Sequence, residues 1–143
     1  ARAPGALPRY ETGPSQPTHW PLDEPGYGTR GLVPGGSTDE AHTALDIAVP
    51  VGTLVRASGG GTVLQTGRDP EYGIFVLIQH PGGYTSRYAH LSAIVTRQGA
   101  LIQAGEALGL SGNTGRSSAP HLHLEIRREG EAIDPLSVVK EPG

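Results

Sequence analysis

Six histidines, at positions 19, 42, 80, 90, 121 and 123, are the side chains best suited to bind a metal or move a proton near neutral pH. Two of them form His121-Leu122-His123 at the head of the run His-Leu-His-Leu-Glu-Ile. On a strand, side chains at i and i+2 share a face. Both imidazoles therefore point into one site, about 6.5 Å apart at the backbone, with Leu122 and Leu124 turned to the core. His42 and Asp46 make a second pair. Along a straight strand they would lie about 13 Å apart, but the apolar run starts only at Leu45. His42 is expected in the preceding loop, free to fold back toward Asp46. With the 121–123 pair, a His/Asp/His set becomes available. Neutral imidazoles plus one carboxylate oxygen suit zinc with a fourth position open to water, and the absence of cysteine favours a catalytic over a structural metal.

Other polar residues fall around these motifs. Glu125 shares the strand face of His121 and His123, where it either orients a ligand or forms an ion pair. Asn113 and Thr114, in Ser-Gly-Asn-Thr-Gly, read first as turn geometry and second as substrate contacts. Tyr88 alternates with His90, which would set both on one face, although core packing is the expected fate of the tyrosine. His19 and His80 belong to no motif and read as surface or hairpin-end residues.

The elements that must position these groups are short and turn-rich. The chain has 143 residues, enough for one ordinary domain. Its 22 glycines and 13 prolines disfavour helix. No Gly-X-Y period supports collagen. A net charge of −3 and only 17% charged residues argue against wholesale disorder. Strand-like runs cover 45–49, 52–57, 62–65, 74–78, 84–90, 107–110 and 121–127; 91–95 could form one helical turn, but no segment has the periodic length of a real helix. Continuously apolar Ile74 to Ile78 reads as a central strand. The fold expected is mostly β: one small antiparallel sheet domain, sandwich-like or barrel-like. Seven of the prolines lie within the first 35 residues. Residues 1–35 therefore read as a leader, extended or partly disordered, and 36–143 as the working domain, with Trp20 available to dock the leader on the domain surface. A pI near 6.1 without basic clusters disfavours nucleic acid, and no apolar run is long enough to span a membrane. The chain starts at Ala1 and lacks methionine, so a processed product or a cut piece of a longer chain is expected. We also expect a monomer.

His42-x-x-x-Asp46, then Tyr88-Ala89-His90-Leu91, then Thr114-Gly115 through Pro120-His121-Leu122-His123-Leu124-Glu125 resemble the M23 metallopeptidases, the lysostaphin-like and LytM-like peptidoglycan endopeptidases. The resemblance spans about residues 38–137 and includes the turns Pro50-x-Gly52-Thr53, Gly105-Glu106-Ala107-Leu108-Gly109 and Asp134-Pro135. It implies a LytM-type fold, zinc held by His42, Asp46 and His123, and His90 and His121 as catalytic histidines that do not bind the metal. It further implies a peptidoglycan peptide as substrate and an extracytoplasmic site of action. The alternative within the resemblance is a non-catalytic LytM-type module that binds or activates a cell-wall amidase.

Overall fold

The computed structural model describes residues 16–23 and 44–139. His42 lies outside the described residues, as does most of the proline-rich beginning. Nine strands follow in order: β1 (Ala44–Ala48), β2 (Leu54–Arg56), β3 (Gly61–Asp69), β4 (Gly73–Gln79), β5 (Tyr84–Ile94), β6 (Leu101–Ile102), β7 (Ala107–Ser111), β8 (His121–Arg128) and β9 (Glu131–Ile133). Single 3₁₀ turns at Pro81–Gly83 and Pro135–Ser137 are the only helical elements among the described residues. All strands belong to one antiparallel sheet with the main order β1-β8-β5-β4-β3-β6. β7 bridges β5 and β2, and β9 pairs with the outer half of β8.

The expected mostly-β class is therefore what forms, with particular differences. The helical turn that 91–95 could form is absent; β5 continues through Ile94 because Leu91, Ala93 and Ile94 pair with β7. That partner lies some 15 residues on in the chain, and local pattern does not reveal it. The two-residue β6 and three-residue β9 are too short to show a period.

One side of the sheet carries the core. Leu45, Ile47, Val55, Val63, Val76, Ile78, Leu108, Leu122, Leu124 and Ile126 are all buried. The alternation of β8 decides which residues face away from it: Leu122, Leu124 and Ile126 point inward, while His121, His123 and Glu125 stay partly exposed on the opposite face. Trp20 and Leu22 join the same core, brought there by hydrogen bonds from His19 N–H to the Ser58 carbonyl and from Arg56 N–H to the Pro21 carbonyl.

His80 is not a surface residue. It is 4% exposed, with Nδ1 2.9 Å from the Gly60 carbonyl and Nε2 2.8 Å from Ser86 Oγ. Ser86 continues to the Tyr88 hydroxyl, which accepts the Ser58 N–H. These bonds allow the imidazole, the serine and the phenol to be buried without leaving their polar atoms unpaired.

Candidate functional site

The site lies where β8 is flanked by β1 and β5. Register places Asp46 of β1 directly opposite His123, and Ala89 of β5 opposite His123 on the other side. Asp46 Oδ1 is 2.8 Å from His123 Nδ1 and 3.5 Å from His121 Nε2. The rings of His90 and His121 have centroids 4.8 Å apart, and those of His90 and His123 5.5 Å apart. Nitrogen atoms of His90, His121 and His123 all come within 4.8 Å of one another, a grouping able to hold a metal ion.

His90 reaches this group through an irregularity in β5. Between the pairs Val76↔Tyr88 and Ile74↔Leu91, β4 advances two residues and β5 three, so β5 carries a bulge. His90 occupies it with φ 62°, in the left-handed region, and its N–H donates to the Tyr72 carbonyl at 2.8 Å. Simple alternation would put His90 on the core face with Tyr88. The extra residue separates them: Tyr88 is wholly buried, and His90 turns to the histidine cluster. A left-handed conformation costs a non-glycine residue about 1–2 kcal/mol. It is held here by Thr114, whose carbonyl accepts His90 Nδ1–H at 2.7 Å. Thr114 Oγ1 in turn donates to the Leu91 carbonyl and accepts the Ile74 N–H. Turn geometry, the first reading of Thr114, is thus its observed work.

His121 is fixed in the same manner. Its Nδ1 lies 2.8 Å from the Ala119 carbonyl, and Ser117 Oγ is within 3.2 Å. In His90 and His121 alike, a proton on Nδ1 is committed to a carbonyl, leaving Nε2 for chemistry. His123 is different: Nδ1 faces Asp46, and Nε2 donates to Glu125 Oε2 at 2.9 Å. Glu125, left between two roles by its position in the strand, orients the histidine and also lies 3.7 Å from Arg87 Nε.

Electrostatics follow from this arrangement. Burial opposes charge on His123, but hydrogen bonds to Asp46 and Glu125 outweigh it and push the imidazole up to about 9. Burial would raise Asp46 and Glu125; the hydrogen bond and charge of His123 instead hold both carboxyls below their usual range. Burial pushes His90 down, opposed in part by the Thr114 carbonyl. The donor set available to a metal is imidazole nitrogen and carboxylate oxygen without thiolate, converging at a partly buried spot. This chemistry fits zinc.

Tyr72 had no distinguishing sequence signal. It stands at the tip of the β3–β4 hairpin, and its hydroxyl donates to Glu125 at 3.0 Å. Burial, reinforced by the Glu125 charge, pushes the phenol up to about 12, so it remains a donor at any physiological pH.

The model of peptidase family M23 matches residues 40–135. The chain belongs to peptidase family M23. It is 47% identical over 97 residues to the DD-carboxypeptidase/endopeptidase Mpg of Neisseria meningitidis, covering 68% of this chain and 22% of that protein. It is 43% identical over 95 residues to the peptidoglycan DD-endopeptidase ShyA of Vibrio cholerae, covering 66% of this chain and again 22% of that protein. The chain thus spans about a fifth of the length of these relatives. A crystal structure of a zinc-containing peptidase from Vibrio cholerae superposes with a TM-score of 0.74 at 28% identity, covering 91% of this chain and 40% of that one. Among the described residues, no helix is long and apolar enough to cross a membrane.

Proposed function

We propose that this M23 chain is a zinc metalloendopeptidase that hydrolyses peptide bonds in the cross-links or stem peptides of bacterial peptidoglycan, outside the cytoplasm. The observation that carries the reading is the Asp46–His123 donor pair set beside two imidazoles whose Nε2 atoms are left available by carbonyl-bound Nδ1 atoms. The relatives' names support the substrate class, and the zinc-containing Vibrio peptidase supports the metal.

Asp46 and His123 would hold the zinc, with His42 as the third ligand by the family's motif. Bound zinc supplies Lewis-acid polarisation of a carbonyl and lowers the pKa of a water from 15.7 toward about 7. His90 and His121 act as the proton-transfer pair. Each can accept a proton at Nε2 and return one to the leaving amine. Burial favours neutral His90, the form that accepts. A protonated imidazole at the second position would stabilise negative charge developing on the scissile carbonyl oxygen. The partly buried cluster strengthens each of these interactions relative to water.

Elemental analysis of the purified chain, paired with mass spectrometry of peptides released from sacculi of defined cross-bridge chemistry, tests this reading. One equivalent of zinc and discrete muropeptide products are expected. Absence of zinc overturns the metal assignment. A zinc-loaded protein that releases no peptide from these sacculi overturns the substrate assignment.

A further inference from the structure

The hairpin joining β3 to β4 is built with more care than a connecting turn requires. Asp69 Oδ1 accepts the N–H groups of Glu71 and Tyr72 at 2.9 and 2.6 Å, closing an Asx-type turn. Gly73 follows with φ 67°, as expected of a three-residue hairpin loop with a glycine bulge. The result fixes Tyr72 at the tip, and the tip lies against the 114–116 loop: Arg116 N–H donates to the Glu71 carbonyl, and a side chain at Gly73 would strike Thr114.

Tyr72 then touches both halves of the site. Its carbonyl accepts the His90 N–H at the bulge. Its hydroxyl meets the Glu125 carboxylate, at 3.0 Å from Oε2 and 3.2 Å from Oε1, and Oε2 is the atom that accepts His123 Nε2–H. The Arg87 guanidinium lies over the Tyr72 ring, 4.3 Å from its centroid, while also approaching Glu125. The Tyr72 and His123 rings have centroids 6.0 Å apart. Glu125 is thus held from the hairpin by a phenol and from β5 by a guanidinium. Its remaining bond fixes the plane of His123 and the direction of Nδ1.

We propose that Tyr72 is a positioning residue of the metal centre, acting through Glu125 to aim His123 Nδ1. The inference rests on the metal reading above and extends it to a residue outside the ligand and proton-transfer sets. A carboxylate or phenol behind a ligating histidine works by removing its rotational freedom, and losing such partners typically costs about 10–100-fold in metal affinity.

Zinc dissociation constants, measured by competition with a chromophoric chelator, test the proposal for the wild type, Tyr72→Phe, Glu125→Ala and the double variant. Phenylalanine keeps the ring beneath Arg87 and removes only the hydroxyl. Tyr72→Phe is expected to weaken zinc binding about tenfold and Glu125→Ala by about 10–100-fold. In the Glu125→Ala background, Tyr72→Phe should add less than about twofold, because its route to His123 is gone. The visible d–d spectrum of the cobalt-substituted protein should change in Tyr72→Phe, whereas the metal-free thermal midpoint should match the wild type. Zinc affinity unchanged by Tyr72→Phe overturns the proposal. So does an effect that persists undiminished without Glu125, or one explained by an equal loss of metal-free stability. Failure of the wild type to bind zinc overturns the metal reading and this proposal with it; wild-type binding with an indifferent Tyr72→Phe overturns this proposal alone.

Discussion

Zinc affinity should depend steeply on pH through one residue. In the metal-free protein His123 sits between two carboxylates and titrates at about 9 rather than 6.5. With His123 as the proposed ligand, a metal can use Nδ1 only when that proton has left, so each metal bound below about pH 9 should release one proton from His123. The apparent association constant should therefore fall toward about tenfold per pH unit well below about 9, or roughly 25-fold from pH 8.5 to 7. Stability of the two forms diverges in the same window. A folded-state pKa raised above the unfolded one stabilises the metal-free protein fully below about 6.5, and that contribution disappears as the pH rises through about 9. At about 1.4 kcal/mol per unit it amounts to a few kcal/mol, shared by His123 with its two carboxylates. The metal-free thermal midpoint should consequently drop between pH 6.5 and 9, while the increase caused by zinc grows. Calorimetric titration in buffers of different ionisation enthalpy counts the released protons, and scanning calorimetry follows the midpoints. Zinc affinity that is flat over this range, after correction for buffer, would refute the placement of His123 between Asp46 and Glu125.

Three substitutions probe separate parts of the molecule. If, as proposed, His121 is a proton-transfer group and not a ligand, His121→Ala should retain stoichiometric zinc while losing about 10²–10⁴-fold in peptide release; loss of the metal in elemental analysis would refute the proposed ligand assignment. Gly73→Ala should lower both stability and activity, since a Cβ at φ 67° meets Thr114, the residue that holds His90; an unchanged denaturation midpoint and rate would contradict the coupling. Tyr88→Phe should destabilise the fold by about 1–3 kcal/mol in urea titrations, by leaving the buried Ser58 N–H without its acceptor, with zinc affinity unaffected.

Much of the site was legible in the sequence because its signals are local. His121, His123 and Glu125 share a face by strand alternation alone, and alternation holds along all of β8. Asp46 is the charged residue in the apolar run Leu45 to Val49, and the structure turns it away from the core side, partly exposed. His80 stands at the end of the β4–β5 hairpin as its position suggests, but its burial is not legible, for the opposite reason. Its partners, Gly60 and Ser86, come from β3's approach and from β5, and nothing in the adjacent Gln79 and Pro81 announces burial. Tyr72 was missed because its partner Glu125 is 53 residues away.

By its own pattern, then, the sequence determined that the chain would form short antiparallel strands punctuated by glycine, that one strand would present two imidazoles and a carboxylate, and which donor types a metal would meet. Tertiary structure decided which nitrogens are available and which face His90 occupies. Tautomer and ring direction depend on carbonyls and carboxylates supplied by other strands and loops. The face of His90 depends on one unpaired residue in β5, stabilised by the Tyr72 and Thr114 carbonyls. Period-two reasoning assigns that imidazole to the core. Only the pairing of β5 with β4 creates the bulge that delivers it to the site.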